Sequence, residues 1–323
     1  MILVTGGNGR LGNVLVRELN KRGKKVKLLV RKSSNVDALK DCKCEYVYGD
    51  ILEKESLKKA LEEVEAVFHL AGFINISQVD RDITLKVNIE GTKNIADICL
   101  EKGIPLIYSS SIHAIEAPKD GTLITEDTSL ATNLETSRGA YDYSKATATQ
   151  YILDLGKKGL KYIVFHPTGI IGPYDYEPSF FGAGMISLIK SGVKFNIGGK
   201  YDYVDVRDVV GAILEGYEKQ KYGNRYILSG DVLDMKEYME YIKEFSNIYG
   251  ISKILGFELS LLLGRIASIF NKRGQITPYS VKTLNSNSNI SHSKATKEIE
   301  YAPMSVKESL RDQYNWFKEK GYI

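Results

Sequence analysis

The start of the chain carries the pattern that most constrains its fold: a short apolar run, three glycines and then a helical pattern. Residues 2–6 read ILVTG, which is typical of a buried strand that stops at a glycine. Gly6, Gly9 and Gly12 follow at equal spacing, and residues 10–23 place apolar side chains at helical intervals. Such a turn lets the main chain approach a pyrophosphate, and the helix directs its first N–H groups at the anion. We therefore predict a phosphate-binding turn here; an ordinary strand–helix turn is the alternative.

The alternation of strand and helix patterns continues through the first half of the chain. Further strand-like runs lie at residues 25–31, 44–50, 65–72 and 104–111. Helical patterns separate them, as at residues 85–103. This alternation predicts an α/β fold with a Rossmann-type doubly wound parallel sheet, in which ligands bind at the carboxyl ends of the strands.

The pattern changes after residue 170, because residues 170–184 are rich in glycine, proline and aromatic side chains. The tail of the chain is predicted to form helices and loops. These changes indicate a smaller C-terminal substrate-binding region that packs over an edge of the sheet. The expected division is a Rossmann domain formed by residues 1–170 and 200–230, and a smaller region formed by residues 171–199 and 231–323.

Composition excludes several classes of protein. The net charge of the 323-residue chain is only +4 and its lysines are scattered, so no nucleic-acid-binding face is expected. The three cysteines, Cys42, Cys44 and Cys99, are too few and too poorly spaced for a disulfide framework or a metal site. We expect reduced thiols, no bound metal and a cytoplasmic location.

No run of eighteen apolar residues occurs in the chain, so no membrane span is expected. The nearest candidate is the segment 254–270, in which Glu258 and Arg265 interrupt the apolar pattern. We interpret this segment as a buried or domain-covering helix, with a lid or a membrane-surface helix as the alternative.

Residues 141–159 predict a helix that begins with two tyrosines and a lysine. Residues four apart share a helix face, so Tyr141 pairs with Lys145, whereas Tyr143 points elsewhere. A free tyrosine has a pKa of about 10. Because a neighbouring ammonium group favours the phenolate, we expect Lys145 to lower the pKa of Tyr141 and to fit it for proton transfer. An exposed surface pair is the alternative.

Several motifs together resemble the extended short-chain dehydrogenase/reductase family. The glycine turn has the spacing G-x-x-G-x-x-G, and Tyr141 with Lys145 forms Y-x-x-x-K. Four more stretches match in order, namely GDI at 49–51, HLAG at 69–72, VNIEGT at 87–92 and SKATKEIEYAP at 293–303. The resemblance covers most of the chain, and it implies a nicotinamide dinucleotide cofactor and a redox reaction.

The resemblance also implies roles for individual residues. Tyr141 is the catalytic acid–base, Lys145 also holds the hydroxyls of the nicotinamide ribose, and Ser111 donates to the substrate oxygen as negative charge develops there. The positive charge of an oxidised nicotinamide adds to the expected lowering of the Tyr141 pKa. Ser109 and Ser110 are expected to be structural neighbours. The expected cofactor-binding residues are Gly6, Gly9, Arg10, Leu11, Gly12, Arg31, Lys32, Ser33, Asp50, Ile51, Leu70, Ala71, Gly72, Asn88, Tyr141, Lys145, Pro167, Gly169 and Ile170.

The end of the second predicted strand indicates which dinucleotide binds. A carboxylate at this point would accept the ribose 2′-hydroxyl of NAD. Instead the strand ends in Arg31, Lys32 and Ser33, and the first carboxylate is Asp37. An arginine can bind a 2′-phosphate through charge-assisted hydrogen bonds. We therefore predict NADP, with Arg31 on the phosphate and Lys32 or Ser33 assisting; NAD is the alternative.

The region after Ser111 separates branches of the family. Where 4,6-dehydratases carry an Asp-Glu pair, this chain has Ile112 and His113. The segment HPTGIIGPYD at 166–175 lacks the Asn and the Arg that are common in epimerases. This segment, together with YVDVRDVVGAI at 203–213 and NRYILSG at 224–230, looks like the dihydroflavonol-reductase-like and 3β-hydroxysteroid-dehydrogenase-like branch.

The leading function is therefore NADP-dependent reduction of a ketone or aldehyde of a small molecule, or oxidation of the alcohol. A nucleotide-sugar epimerase with tightly bound NAD and a non-catalytic NADP-binding sensor or scaffold are the alternatives. Many relatives form dimers through two long helices, which correspond here to residues 85–102 and the helix from Tyr141. The candidate substrate-contacting residues, each of which could instead be an ordinary structural residue, are His113, Tyr174, Phe180 and Phe181.

Overall fold

The computed structural model describes residues 1–74, 80–191, 195–246, 253–270 and 277–323. The strands are β1 (Ile2–Thr5), β2 (Val26–Val30), β3 (Cys44–Tyr48), β4 (Ala66–His69), β5 (Leu106–Ser109), β6 (Tyr162–Pro167), β7 (Gly169–Ile171), β8 (Phe195–Ile197), β9 (Lys200–Asp205), β10 (Asn224–Leu228), β11 (Asp231–Asp234) and β12 (Lys253–Leu255). Seven of them form a parallel sheet in the order β10-β6-β5-β4-β1-β2-β3. This order contains the Rossmann arrangement 3-2-1-4-5-6, so the predicted doubly wound sheet is confirmed.

Helices cover both faces of the large sheet. The α-helices of the described residues are α1 (Arg10–Lys21), α2 (Lys54–Ala60), α3 (Arg81–Leu85), α4 (Thr92–Lys102), α5 (Ala140–Gly156), α6 (Phe180–Ser191), α7 (Val206–Glu218), α8 (Met235–Ser246), α9 (Phe257–Phe270), α10 (Pro278–Leu284), α11 (Ser293–Ile299) and α12 (Val306–Glu319). Along β1, Val4 packs into the core that contains α1 and α7, whereas Leu3 packs into the core that contains α2, α4 and α5. Alternate side chains of a strand point to opposite faces, so a strand covered on both faces is apolar throughout.

Parallel pairing aligns the carboxyl ends of the strands along one edge. Thr5 at the end of β1 lies opposite Leu29 of β2 and His69 of β4, and His69 lies opposite Tyr108 of β5. The segments that follow these strands therefore leave the sheet side by side. They contain four groups of predicted site residues, namely the glycine turn, residues 31–33, residues 70–72 and Ser111.

A second, smaller region has its own sheet and core. Strands β11, β9 and β7 form a three-stranded sheet, and β12 pairs with β8. Their core is largely aromatic and includes Tyr203, Tyr238, Trp316 and Phe317. The strand at 200–205 belongs to this sheet, whereas α7 returns to the core of the large sheet. The predicted division into two domains stays a prediction, and residues 192–194, 247–252 and 271–276 of the smaller region lie outside the described residues.

The central helix differs from the single α-helix expected over residues 85–103. Its α-helical ends, α3 and α4, are separated by π-helical turns over Lys86–Gly91. Gly103 ends the helix in the left-handed conformation with φ of 66°. Short π-helical segments occur often at functional sites. Here the segment carries Asn88, which is buried.

The apolar segment 254–270 forms most of β12 and all of α9, and one face of this helix is exposed. Its exposed large apolar side chains are Phe257, Leu259, Leu262, Leu263 and Ile266. A fully buried helix is therefore wrong for this segment, whereas the domain-covering helix that was predicted as its other form stays a prediction; Ser260 on the helix is buried. Among the described residues, no helix has the length and apolar character needed to cross a membrane.

Candidate active site

The glycine turn after β1 is closely packed. Gly6 adopts the left-handed conformation with φ of 70°, and a Cβ on it would lie 2.6 Å from the main-chain nitrogen of Ala71. A Cβ on Gly12 would lie 2.6 Å from the Cα of Gly7. Gly9, between them, is exposed. Only glycine fits at the two crowded positions, so the main chain of this turn can be approached closely by a ligand.

Helix α1 begins without a side-chain cap. Its N-cap residue is Gly9, and its first turn contains no acidic residue. The first N–H groups of an α-helix have no partner within the helix, and the helix dipole places partial positive charge there. The main chain of Arg10 and Leu11 therefore fits the pyrophosphate of a dinucleotide.

The guanidinium group of Arg10 has a different role from its main chain. It donates hydrogen bonds to the carbonyl oxygens of Ile170 at 2.9 Å and Gly172 at 2.5 Å, and to Oγ of Ser179 at 2.9 Å. It also lies 3.5 Å from the carboxylate of Asp175. The side chain thus ties α1 to the segment that follows β7.

The segment after β4, residues 70–72, is held by the central helix. The Asn88 amide donates to the carbonyl oxygen of Phe73 at 3.0 Å and accepts from its N–H at 2.7 Å. A Cβ on Gly72 would lie 3.2 Å from Nζ of Lys145 and 3.4 Å from Oδ1 of Asn88. The π-helical turns therefore place Asn88 where it fixes the segment between the glycine turn and Lys145.

The end of β2 presents a polar, positively charged surface. The side chains of Arg31, Lys32 and Ser33 are exposed. Asn8 of the glycine turn donates a hydrogen bond of 3.1 Å to the carbonyl oxygen of Asn35. This bond joins the turn after β2 to the glycine turn.

The remaining predicted cofactor residues lie at the same edge of the sheet. The Asp50 carboxylate accepts a main-chain hydrogen bond of 2.9 Å in the turn after β3, and Ile51 is buried against the central helix. Pro167 ends β6, and Gly169 and Ile170 begin β7. Their role as cofactor contacts stays a prediction.

The structure brings Ser111, Tyr141 and Lys145 together. Tyr141 lies at the start of α5, Ser111 follows β5, and the Ser111 hydroxyl lies near the phenol group of Tyr141. Lys145, one turn further along α5, donates a hydrogen bond of 2.9 Å to the carbonyl oxygen of Ser109. The side chains of Ser111, Tyr141 and Lys145 are buried, whereas Tyr143 is partly exposed. Tyr141 and Lys145 thus share the buried face of α5.

Burial has the largest effect on the pKa values of Tyr141 and Lys145. Burial raises the pKa of Tyr141 to about 12, although the nearby Ser111 hydroxyl acts in the opposite direction. Burial lowers the pKa of Lys145 to about 7. The prediction that Lys145 lowers the pKa of Tyr141 is therefore wrong for the protein alone, because loss of hydration disfavours the charged form of each group.

The neighbours of Ser111 fix its position. Its hydroxyl accepts a hydrogen bond of 3.2 Å from the main-chain N–H of His113, and its carbonyl oxygen lies 3.0 Å from Nδ1 of His166. Burial lowers the pKa of His166 to about 3, so this imidazole is neutral and donates through Nδ1. The hydroxyl of Ser110 points away to Thr149, at 2.8 Å.

His113 lies beside Tyr141, with ring centroids 6.0 Å apart. Its Nε2 lies 2.6 Å from the hydroxyl of Tyr201, and its Nδ1 lies 3.1 Å from the hydroxyl of Tyr279 and 3.3 Å from Asp142. Sequence reasoning found His113 but none of these partners. Asp142 could have been noticed as a carboxylate beside Tyr141 in the first turn of a helix. Nothing in the sequence indicated that Tyr279 contacts His113, because the two residues are 166 positions apart.

Asp142 is held as a carboxylate. Nε of Arg138 donates to it at 2.6 Å, and so does the hydroxyl of Tyr279, also at 2.6 Å. Burial alone would raise the pKa of Asp142, but His113, Arg138 and Tyr279 outweigh burial and lower it to about 2. Asp142 therefore carries a negative charge throughout the ordinary pH range.

The predicted aromatic substrate residues lie in two places. Phe181 packs against Tyr201 at a centroid distance of 5.7 Å, and Phe180 packs against Phe181 at 5.5 Å. Tyr174 instead packs against the guanidinium group of Arg17 in α1 at 5.5 Å. The contacts of Tyr174 therefore give no support to a substrate role, whereas Phe181 adjoins the network around His113.

Comparison with known proteins gives consistent matches. Residues 2–228 match the family described as "NAD dependent epimerase/dehydratase family". "Sterol demethylase protein B" of Methylococcus capsulatus is 29% identical over 328 residues, which cover 99% of each chain. "Putative dihydroflavonol 4-reductase" of Synechocystis sp. is 27% identical over 329 residues, which cover 99% of this chain and 95% of that protein. The crystal structure of gox2253 superposes with a TM-score of 0.88 at 27% identity and covers 100% of this chain and 99% of that one.

The family match spans the large sheet from β1 to β10, including the glycine turn, Ser111, Tyr141 and Lys145. The resemblance inferred from the motifs is confirmed. The chain belongs to the NAD dependent epimerase/dehydratase family and is an NAD(P)-dependent enzyme of the extended short-chain dehydrogenase/reductase type.

Proposed function

We propose that this protein is an NADP-dependent oxidoreductase that reduces a ketone or aldehyde of a small molecule, or oxidises the corresponding alcohol. Ser111, Tyr141 and Lys145 form its catalytic group. The proposal rests above all on the closeness of the Ser111 and Tyr141 hydroxyls, at the edge of the sheet where β5 and α5 meet. Two hydroxyls held together can both bond to one substrate oxygen, and that oxygen gains negative charge when a carbonyl is reduced.

The residues at this edge fit a dinucleotide. The glycine turn and the uncapped start of α1 would hold the pyrophosphate, and residues 70–72 with Lys145 would hold the nicotinamide ribose. When bound, the nicotinamide supplies the hydride, and its oxidised form carries a positive charge.

Tyr141 holds the proton that a substrate oxygen needs. Because burial raises its pKa to about 12, the phenol is protonated at neutral pH in the protein alone. Reduction requires this form, since Tyr141 then donates its proton to the carbonyl oxygen while Ser111 donates a hydrogen bond to the same atom. Alcohol oxidation requires the phenolate, which only a nearby positive charge would make accessible. The buried position of Tyr141 therefore favours reduction.

The relatives suggest which carbonyl compounds to test first. Two of them are named for a sterol and for a dihydroflavonol, and both compounds contain fused rings. Phe181 and Tyr201 offer aromatic surface close to His113. We therefore propose a ketone on a ring as the first substrate class.

A spectroscopic assay tests the reductase. NADPH is mixed with a panel of ring ketones, aldehydes and sugar nucleotides, and the absorbance of the reduced nicotinamide is followed. We expect loss of absorbance that depends on a ketone or aldehyde and release of NADP. The family description also covers epimerases. Purification with NAD bound, and interconversion of a sugar nucleotide without net change in cofactor, would replace the reductase with an epimerase.

The choice of NADP rests on Arg31, because its exposed side chain follows β2 in the turn that Asn8 joins to the glycine turn, and no carboxylate is nearby in sequence. A hydrogen bond to a charged group contributes about 1.5–3 kcal/mol, which corresponds to roughly tenfold to hundredfold in affinity. Arg31→Asp should weaken NADP by that factor and leave NAD unchanged or improved. Lys25→Asp makes the same change of charge at the opposite end of β2 and should affect neither cofactor. Equal or tighter binding of NAD by the unmodified protein would contradict NADP.

Two further parts of the proposal concern the oligomeric state of the enzyme and its location in the cell. A homodimer would form through the outer surfaces of α4 and α5, which pack against each other through Tyr151 and Asp97 at 2.5 Å. Sedimentation of the purified protein tests this, and a monomer at working concentration would contradict it. The three free thiols are compatible with the cytoplasmic location proposed from the sequence.

A further inference from the structure

The hydrogen-bond network around His113 determines where its ring proton lies. Asp142 is ionised, so it only accepts hydrogen bonds. The Tyr279 hydroxyl gives its single proton to Asp142 at 2.6 Å, and its oxygen can then only accept. Nδ1 of His113 faces both of these acceptors, at 3.1 Å and 3.3 Å. If Nδ1 carried no proton, its lone pair would face the lone pairs of both oxygens, which is repulsive. Nδ1 therefore carries the proton.

The position of this proton fixes the direction of the next hydrogen bond. In its neutral form the imidazole has one N–H group, so with that proton on Nδ1 the Nε2 atom of His113 is an acceptor. The Tyr201 hydroxyl lies 2.6 Å from Nε2 and therefore donates its proton to it. Because its only proton is already donated to Nε2, the oxygen of Tyr201 can only accept a hydrogen bond from any other group.

Tyr201 adjoins the site on the side away from the sheet. Its ring packs against His113 at 6.0 Å, and His113 in turn packs against Tyr141 at 6.0 Å. On its other side it packs against Phe181 at 5.7 Å.

We propose that Tyr201 is a specificity-determining residue that accepts a hydrogen bond from a hydroxyl group on the substrate, and that His113, Asp142 and Tyr279 are positioning residues that hold it in this role. The preferred substrates are then carbonyl compounds that carry a second, hydrogen-bond-donating group. This proposal depends on the proposed reductase function only for the place of the ligand beside Tyr141.

Ligand binding tests Tyr201 without requiring turnover. The protein loaded with NADPH is titrated by calorimetry with cyclohexanol and with the 1,2-, 1,3- and 1,4-cyclohexanediols under mildly alkaline conditions, which favour the neutral form of an imidazole. We expect at least one diol to bind about threefold to tenfold more tightly than cyclohexanol, which is the effect of one added hydrogen bond. Tyr201→Phe should abolish this preference.

Tyr203→Phe is the matched control. Tyr203 lies two positions along β9, its hydroxyl contacts the sulfur of Met235 at 4.0 Å, and it packs in the core of the smaller region. This variant should keep the preference for the diol. The proposal is overturned if no diol is preferred by the unmodified protein, or if the preference persists in Tyr201→Phe.

Nitrogen NMR on the unmodified protein provides a second readout, which stands even if Tyr201→Phe fails to fold. The chain has four histidines, so the resonances of His113 can be assigned by their loss in His113→Gln. We expect the proton on Nδ1 and a bare Nε2 that accepts a hydrogen bond. A proton on Nε2 of the neutral ring would contradict the proposal.

The outcomes separate this proposal from the reductase. If no ketone is reduced but the preference for a diol follows Tyr201, the reductase is wrong and the role of Tyr201 stands. If ketones are reduced and the diols bind no better than cyclohexanol, the reductase stands and the role of Tyr201 is wrong.

Discussion

The ammonium nitrogen of Lys145 donates a hydrogen bond of 2.9 Å to the main-chain carbonyl oxygen of Ser109. The bond ties α5 to the end of β5, and the absence of a side chain at Gly72 leaves room for it. The same two elements carry Tyr141 and Ser111. Lys145 therefore helps to hold together the two hydroxyls that we assign to the substrate oxygen.

Stability should depend on pH through Lys145. Burial lowers its pKa from 10.5 to about 7 in the folded protein. Between these values the unfolded chain binds a proton that the folded chain lacks, so the contribution of Lys145 to the free energy of unfolding rises with pH across this window. Below this pH window, Lys145 is charged in both states, and the cost of burying its ammonium group lowers the free energy of unfolding in full.

Lys145→Met removes that cost. The gain in melting temperature over the unmodified protein should be largest near about pH 6 and smallest near about pH 10, as measured without cofactor. Lys24→Met, at an exposed position, should show no such trend. A gain that is constant with pH would contradict the assignment of a neutral Lys145 at high pH.

Tyr141→Phe should abolish most of the turnover while the protein folds and binds cofactor, because only the proton-donating hydroxyl is removed. General acid–base catalysis typically contributes about 10²–10⁴-fold. Tyr143→Phe, two residues along the same helix, should be mild. The kcat of both variants with a ring ketone checks this, and a damaging Tyr143→Phe with a mild Tyr141→Phe would refute the assignment.

Ser111→Ala should lower turnover by about 10²–10³-fold, the effect of losing one donor to a developing oxyanion. Ser109→Ala should be mild, since Lys145 uses only its main-chain oxygen. Steady-state kinetics of the two variants gives the comparison. Small and equal losses would remove Ser111 from the mechanism.

Local patterns were sufficient for those parts of the site that depend on neighbours in sequence. The spacing of Gly6, Gly9 and Gly12 after a strand predicted the turn, and the confirmed sheet places this turn at its carboxyl edge. Helical periodicity alone selected Tyr141 over Tyr143, and Tyr141 lies on the buried face with Lys145. Each of these inferences compares residues within one strand, turn or helix.

Contacts between distant segments could not be predicted in this way. The guanidinium group of Arg10 reaches Gly172, which is 162 residues away, and Tyr279 reaches Asp142 across 137 residues. The pKa of Tyr141 was predicted in the wrong direction, because spacing gives the distance to Lys145 but not the burial of the phenol. Burial is a property of the whole packed chain.

Gly12→Ala should destabilise the protein and weaken dinucleotide binding together, because the new Cβ would overlap the main chain of Gly6 and Gly7. Overpacking of this kind typically costs about 1–3 kcal/mol. Gly211→Ala is the control, since a Cβ there meets nothing within 4 Å inside α7 and should be neutral or stabilising by about 0.5–1 kcal/mol. Thermal unfolding and a titration with NADP measure both effects. Unchanged binding in Gly12→Ala would show that the turn does not hold the cofactor.

Isotope transfer tests the reductase most directly. NADPH that carries two deuterium atoms at C4 of the nicotinamide is incubated with the protein and the ring ketone that reacts best, and the alcohol is analysed by mass spectrometry. The proposal predicts one deuterium on the carbinol carbon for each NADP released, loss of the labelled alcohol in Tyr141→Phe and its retention in Tyr143→Phe. An unlabelled product with unconsumed NADPH, formed by a protein that keeps NAD bound throughout, would contradict it.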